Sequence, residues 1–201
     1  MFWYEDDIKR LEKERAALTY KPATIFYGSS SIRQWTSLAD DFKGLSPVNL
    51  GFGGSTLAGC TWFFDRVMVG FEPERLVFYA GDNDLGDGRH PEEVFIFFQQ
   101  FAVRVKERFG SLPCYFISLK PSIARWAQFG NFKYANEIIS AEIKNNHPDW
   151  RWVDIFSSML NADGKPNPEY FVADGLHLSK KGYHLWKTAV HKELSEELTP
   201  F

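Results

Sequence analysis

Apolar residues along this chain fall into two alternating rhythms. Five short, nearly continuous apolar or β-branched runs lie at 24–27, 47–50, 75–80, 113–119 and 151–155. Between and around them, apolar positions recur at the three-to-four spacing of an amphipathic helix, over about 4–17, 55–70, 91–109, 131–146 and 179–197. In the first of these Ile8, Leu11 and Leu18 share one side and mixed charges occupy the rest, as on a solvated helix face. Runs that are apolar throughout suit strands covered on both faces. Strand alternating with helix predicts a parallel sheet with helices on both sides. No repeat, low-complexity stretch or linker interrupts the pattern. One domain over 1–201 is therefore expected, with residues 1–20 as a helix packed on it and 161–168 as a surface loop.

Composition narrows this picture. A chain of 201 residues suffices for one well-filled core and is short for two. Aromatics make up 17%, with 19 Phe and 7 Trp, so the core should be built largely from rings and a few left over for a cleft. Net charge is −3 and the basic residues are dispersed, which argues against a nucleic-acid surface. No apolar run approaches membrane-spanning length. Phe2-Trp3-Tyr4 followed by Glu5-Asp6-Asp7 lacks the basic start and apolar length of an export signal, so a cytoplasmic location is expected. Cys60 and Cys114 stand in no C-x-x-C context and read as two reduced, buried thiols.

Candidate chemistry concentrates in four glycine-centred motifs: Gly28-Ser29-Ser30-Ser31, Asn49-Leu50-Gly51-Phe52-Gly53-Gly54, Gly81-Asp82-Asn83-Asp84 and Asp174-Gly175-Leu176-His177. Three begin where an expected strand ends, and the fourth lies between the last strand and the last helix. Ligand sites in open α/β sheets form outside the carboxyl ends of strands, so all four can meet at one edge. A serine hydroxyl needs a base to become a nucleophile. His177 can supply the base, with Asp174 fixing its tautomer. Gly53-Gly54 lets a backbone N–H approach an oxyanion, and Asn83 offers a neutral amide donor.

Each motif also has a plain structural explanation. Serines cap helices, Gly-Gly and Asn-Asp make turns, and Asp82 with Asp84 suggests a cation. Dinucleotide and phosphate-loop spacings do not fit, and a G-x-S-x-G elbow is absent. His90, His147, His184 and His191 read as structural. Ser29 stands as an alternative nucleophile, and a non-catalytic ligand binder on the same sheet as an alternative function.

The segments IFYGSSSIRQW (25–35), NLGFGGST (49–56), YAGDNDL (79–85) and ADGLHLSKKGY (173–183) resemble the sequence blocks of the SGNH, or GDSL-like, hydrolases. The resemblance runs from about residue 23 to 190. It implies a three-layer α/β/α sandwich of flavodoxin type and a serine esterase that works through an acyl-enzyme without cofactor or metal. By motif, the nucleophile falls on Ser30, and the acid and base on Asp174 and His177. The oxyanion donors fall on the backbone N–H groups of Ser30 and Gly54 and the amide of Asn83. Ser29 stands where the family usually has Asp; that Asp is not the triad acid, so the chemistry should be kept. The expected partner is a small-molecule ester carrying a short, acetyl-like acyl group on a sugar or alcohol. Lysophospholipid or thioester hydrolysis is the alternative. No nucleic-acid or membrane partner is implied, and self-association is left open. Substrate contacts are expected from Ser29, Arg33, Trp35 and Asp82, with Trp62, Trp126 and Arg125 as further candidates.

Overall fold

All five apolar runs are strands in the computed structural model, which describes residues 1–196. They are β1 (Thr24–Gly28), β2 (Pro47–Gly51), β3 (Arg75–Tyr79), β4 (Cys114–Ile117) and β5 (Trp150–Val153). All pair in parallel, in the order β2-β1-β3-β4-β5. The chain steps outward from β1 in one direction to β2 and in the other to β3, which leaves a crevice at the carboxyl ends of β1 and β3. This is the switch point at which such sheets bind ligands. The register places Gly28, the last residue of β1, between Gly51 and Tyr79, the last residues of its two neighbours.

Eight α-helices lie among the described residues: α1 (Glu5–Ala16), α2 (Ser30–Arg33), α3 (Leu38–Asp41), α4 (Leu57–Val67), α5 (Asp82–Gly86), α6 (Pro91–Phe109), α7 (Phe129–Asn146) and α8 (Lys180–Ser195). α1, α4, α6 and α7 pack side by side on one face of the sheet, while α3 and α8 cover the other. The arrangement is a three-layer α/β/α sandwich of the flavodoxin type. Successive strand residues face opposite layers. Phe26 and Tyr79 meet Trp35, Phe42 and Trp186 on the α3/α8 side, whereas Tyr27 and Phe78 meet Phe64 and Phe101 on the other. Nearly the whole ring-rich core is enclosed; burial of about 150–250 Å² for each ring makes it the main driving force for collapse.

Local chemistry sets the helix ends. Thr56 Oγ1 accepts the Gly59 N–H at 2.9 Å and starts α4, two residues later than the apolar period suggests. His90, Pro91 and Glu93 begin α6, the Glu93 carboxylate accepting the His90 N–H at 2.8 Å. Ser179 caps α8 through the Gly182 N–H. α8 was expected to reach 197, a residue outside those described. α2, α3 and α5 were not anticipated, because four or five residues are too few to display a helical period. Cys60 and Cys114 are buried free thiols, and burial pushes both pKa values up. No helix among the described residues is long and apolar enough to cross a membrane.

Candidate active site

Ser30 opens α2 directly after β1, and its hydroxyl lies 3.2 Å from His177 Nε2. The opposite ring nitrogen, Nδ1, is 2.6 Å from Asp174 Oδ2. A carboxylate only accepts, so Nδ1 carries the hydrogen and Nε2 of the neutral ring presents its lone pair to Ser30. Asp174 is held rigidly. Its Oδ1 accepts the N–H groups of Leu176 at 2.8 Å and His177 at 2.9 Å. The hydrogen bond from His177 and these two amides draw the Asp174 carboxyl down to about 2. The turn is closed by Val172 N–H to His177 O and by Gly175, which adopts φ +66°. Acid, base and hydroxyl thus form one hydrogen-bonded line, although the hydroxyl and the imidazole come from opposite ends of the chain.

Ser29 is enclosed. It is fully buried, its hydroxyl has no partner among the described residues, and it makes no cap hydrogen bond to α2. The neighbouring Ser31 hydroxyl accepts from Lys120 Nζ at 3.1 Å. Of the three consecutive serines, only Ser30 is both half-exposed and within reach of His177.

Gly54 and Asn83, the other expected oxyanion donors, lie in the loops that follow β2 and β3. Gly54, at φ +64°, lies exposed in the loop after β2, and its carbonyl accepts from the Tyr4 hydroxyl at 3.0 Å. Tyr4 also accepts the Thr56 N–H at 3.3 Å, so the N-terminal segment braces the glycine loop. Asn83 opens out from the end of β3 at the head of α5. Its Nδ2 donates to Ser55 O at 3.0 Å, and its Oδ1 accepts from Arg125 Nη2 at 2.9 Å. An amide nitrogen carries two hydrogens, so one remains for a ligand. Asp84 bonds the first turn of α4, through Leu57 N–H at 2.6 Å and Ala58 N–H at 3.5 Å. Burial nevertheless pushes the Asp84 carboxyl up to about 6.

Behind Ser30 and Asn83 lies a buried charge cluster that no sequence signal announced. Lys120, 1% exposed, reaches Asp82 Oδ2 at 2.6 Å, the Tyr79 hydroxyl at 3.1 Å and Ser31. Asp82 also lies 3.5 Å from Arg125. Burial opposes both charges, but the lysine and the arginine together hold Asp82 below the usual carboxylate range.

The substrate side departs from expectation. Asp82 is buried in this cluster and not offered to a ligand. Trp35 is 1% exposed, packed edge-on against Phe26, Phe42 and Trp186 and tilted against Tyr183, because its indole fills the α3/α8 layer. Ser29 is enclosed, as described. Arg33 is exposed and pairs with Asp7 at 3.1 Å beside Gly53. Trp62 and Trp126 are solvent-facing, at 67% and 37% exposure. Two of the other histidines have structural partners. His191 donates to Asp41 O and stacks on Phe42, and His147 lies against Glu142. Asp82 faces Lys120 and Asp84 the first turn of α4, and among the described residues no three His, Cys, Asp or Glu side chains converge. A hollow of about 720 Å³ along α8, lined by Tyr170, His184 and Lys192 among others, contains none of the residues of this site.

The family model of the GDSL-like lipase/acylhydrolase family matches residues 18–185. No curated protein matches the chain. Among solved structures, a Streptococcus pneumonia protein proposed to be a platelet activating factor aligns with TM-score 0.81 at 19% identity, over 94% of this chain and 92% of its own. A GDSL-like lipase from Bacteroides thetaiotaomicron aligns with TM-score 0.79 at 21% identity, over 94% and 97%. An acetyl-xylooligosaccharide esterase from Geobacillus aligns with TM-score 0.68 at 11% identity, over 90% and 98%. At these identities the likeness is one of fold.

Proposed function

Given that the chain belongs to the GDSL-like lipase/acylhydrolase family, serine hydrolases acting on ester bonds, we propose that it removes a short acyl group from a sugar or alcohol, with Ser30 as nucleophile. The hydrogen-bonded line Asp174–His177–Ser30 carries this reading. His177 Nε2 takes the Ser30 proton as Oγ attacks the ester carbonyl. The carbonyl oxygen becomes an oxyanion, received by the N–H groups of Ser30 and Gly54 and the free Nδ2 hydrogen of Asn83. On collapse the C–O bond to the alcohol breaks, and imidazolium gives its proton to the departing oxygen. Water then repeats the sequence on the acyl-enzyme, releasing the acid and restoring Ser30. Asp174 stays ionised and stabilises the imidazolium.

The preference for a short acyl group is supported by what lies beneath the nucleophile. Ser31, Tyr79, Asp82 and Lys120 fill that space with hydrogen-bonded polar atoms. A long alkyl chain directed inward would have to displace a buried ion pair, which is far costlier than the burial of its methylenes is favourable. The test is a panel of p-nitrophenyl esters of increasing acyl length together with acetylated sugars, with Ser30→Ala as control. Acetyl or propionyl esters are expected to turn over fastest, Ser30→Ala to be inactive, and an organophosphonate to label Ser30. Preference for octanoyl or longer chains, or for thioesters, would replace the short-acyl reading. Turnover without labelling at Ser30, or equal turnover in Ser30→Ala, would remove the nucleophile assignment.

A further inference from the structure

A carboxamide is nearly symmetric in shape but opposite in polarity at its two ends. Rotated by half a turn, Asn83 would present an acceptor, Oδ1, to the position where negative charge develops. The useful orientation must therefore be enforced. Ser55 O accepts from Nδ2, which favours the donor-outward orientation, but a single neutral hydrogen bond is a modest bias. The second constraint is Arg125, whose guanidinium has donors only. Its Nη2 meets Asn83 Oδ1 at 2.9 Å, and a flipped amide would set N–H against N–H there.

We infer that Arg125 is the positioning residue of the oxyanion hole, a fork that locks the Asn83 amide with its free N–H toward the substrate carbonyl; this rests on the esterase reading above. The fork spans two consecutive residues. Nη1 donates to Asp82 O at 2.7 Å and lies 3.5 Å from Asp82 Oδ2, while Nη2 takes Asn83. A planar guanidinium suits this double contact, whereas the point charge of lysine does not. The neighbourhood is shaped around it. A Cβ at Gly86 would lie 2.5 Å from Arg125 Cζ, so the glycine makes room for the group. The Arg125 side chain is only 17% exposed, and its contacts are to the backbone and side chains of 82 and 83. The hydrogen bond from a charged donor also draws electron density from the amide oxygen, and leaves Nδ2–H the stronger donor. The loop that carries Arg125 is docked on the acid–base turn through Ala124 N–H to Gly175 O at 3.1 Å. One loop thereby adjusts the oxyanion donor and adjoins the Asp174–His177 turn.

The test is steady-state hydrolysis of a short p-nitrophenyl ester by the wild type, Arg125→Ala, Arg125→Lys, Asn83→Ala and the Asn83→Ala/Arg125→Ala double variant. Arg125→Ala is expected to lower kcat about 10-fold with KM unchanged, part of the 10²–10³ that outright loss of an oxyanion donor costs. In the Asn83→Ala background the same change should have no further effect, because the amide it positions is gone. Guanidinium ion added to Arg125→Ala should restore part of kcat. If Arg125→Ala proves unfolded by circular dichroism, Arg125→Lys carries the test, with lowered kcat and unchanged KM expected. An equal loss in both backgrounds, a raised KM at constant kcat, or wild-type kcat in Arg125→Lys would each overturn the inference. Full turnover by Asn83→Ala would overturn the oxyanion assignment as well. A collapse in Asn83→Ala beside unaffected Arg125→Ala would remove the inference alone.

Discussion

Asp84 carries a carboxylate into a place where burial and hydrogen bonding oppose each other. Two N–H groups of α4 favour its ionised form, but enclosure wins, and its pKa rises from the ordinary 3.8 to about 6. The native state therefore holds this proton more tightly than the unfolded chain. Its contribution to stability is fully present below about pH 4 and is lost as pH rises through about 6. At 1.36 kcal/mol per unit, the effect is on the order of 3 kcal/mol. In urea unfolding across that window, wild type is expected to lose up to about this much relative to Asp84→Asn, which has no charge to bury. Parallel pH profiles for the two proteins would contradict it. Asp174 behaves in the opposite sense. Its pairing with His177 is present above pH 4 and is lost only as pH falls toward about 2. The motif Gly-Asp-Asn-Asp was legible as a site of chemistry, with Asn83 read as an amide donor and Asp82 as a substrate contact, but the partners of its two carboxylates were not. Partners distant in the chain divide them: Lys120 takes Asp82, Arg125 takes Asn83, and the start of α4 takes Asp84.

Strand ends, where the elements turn, show why glycines recur there. Gly28 has φ +142°, and a Cβ on it would fall 1.9 Å from Tyr79 O in the adjacent strand. Gly51 meets the backbone of α2 so closely that its Cβ would lie 2.2 Å from Arg33 N. These contacts let α2 begin directly after β1, so that the Ser30 hydroxyl stands at the sheet edge. Asn49 secures the same junction, donating to Ile32 O at 2.7 Å and accepting the Gly51 N–H. Gly28→Ala adds both backbone strain and overlap with a buried carbonyl. It is expected to cost more than about 3 kcal/mol in denaturant unfolding. A loss below 1 kcal/mol on the same scale would mean that the strand ends relax freely. The strands and long helices were readable from periodicity, since each buries whole faces. The short helices α2, α3 and α5 were not, because backbone approach and local capping form them, and neither leaves a periodic trace.

For the molecule as a whole, the cluster at Lys120 ties the loop after β4 to the end of β3 and to the α2 and α5 turns that carry Ser30 and Asn83. Removing one partner of a buried pair strands the other charge, typically at a cost of about 3–5 kcal/mol. Lys120→Met is therefore expected to lower the unfolding free energy by roughly that amount. Replacing both members, as Lys120→Met with Asp82→Leu, should recover part of it; a double variant no better than the single would argue that the loss came from packing. The order of strands and helices was legible in the linear chain because apolar periodicity is a local property, and the motifs holding Ser30, Gly54, Asn83, Asp174 and His177 were legible as candidates for one site, their separate roles being only what the resemblance implies. That Ser30 and not Ser29 meets the imidazole, that Trp35 belongs to the core, that Asp82 is a buried counter-ion and that Arg125 grips Asn83 were decided only by the fold. Each depends on contacts between segments far apart in the chain, and whether such a side chain faces water, a ring or an opposite charge is settled when the layers close around it.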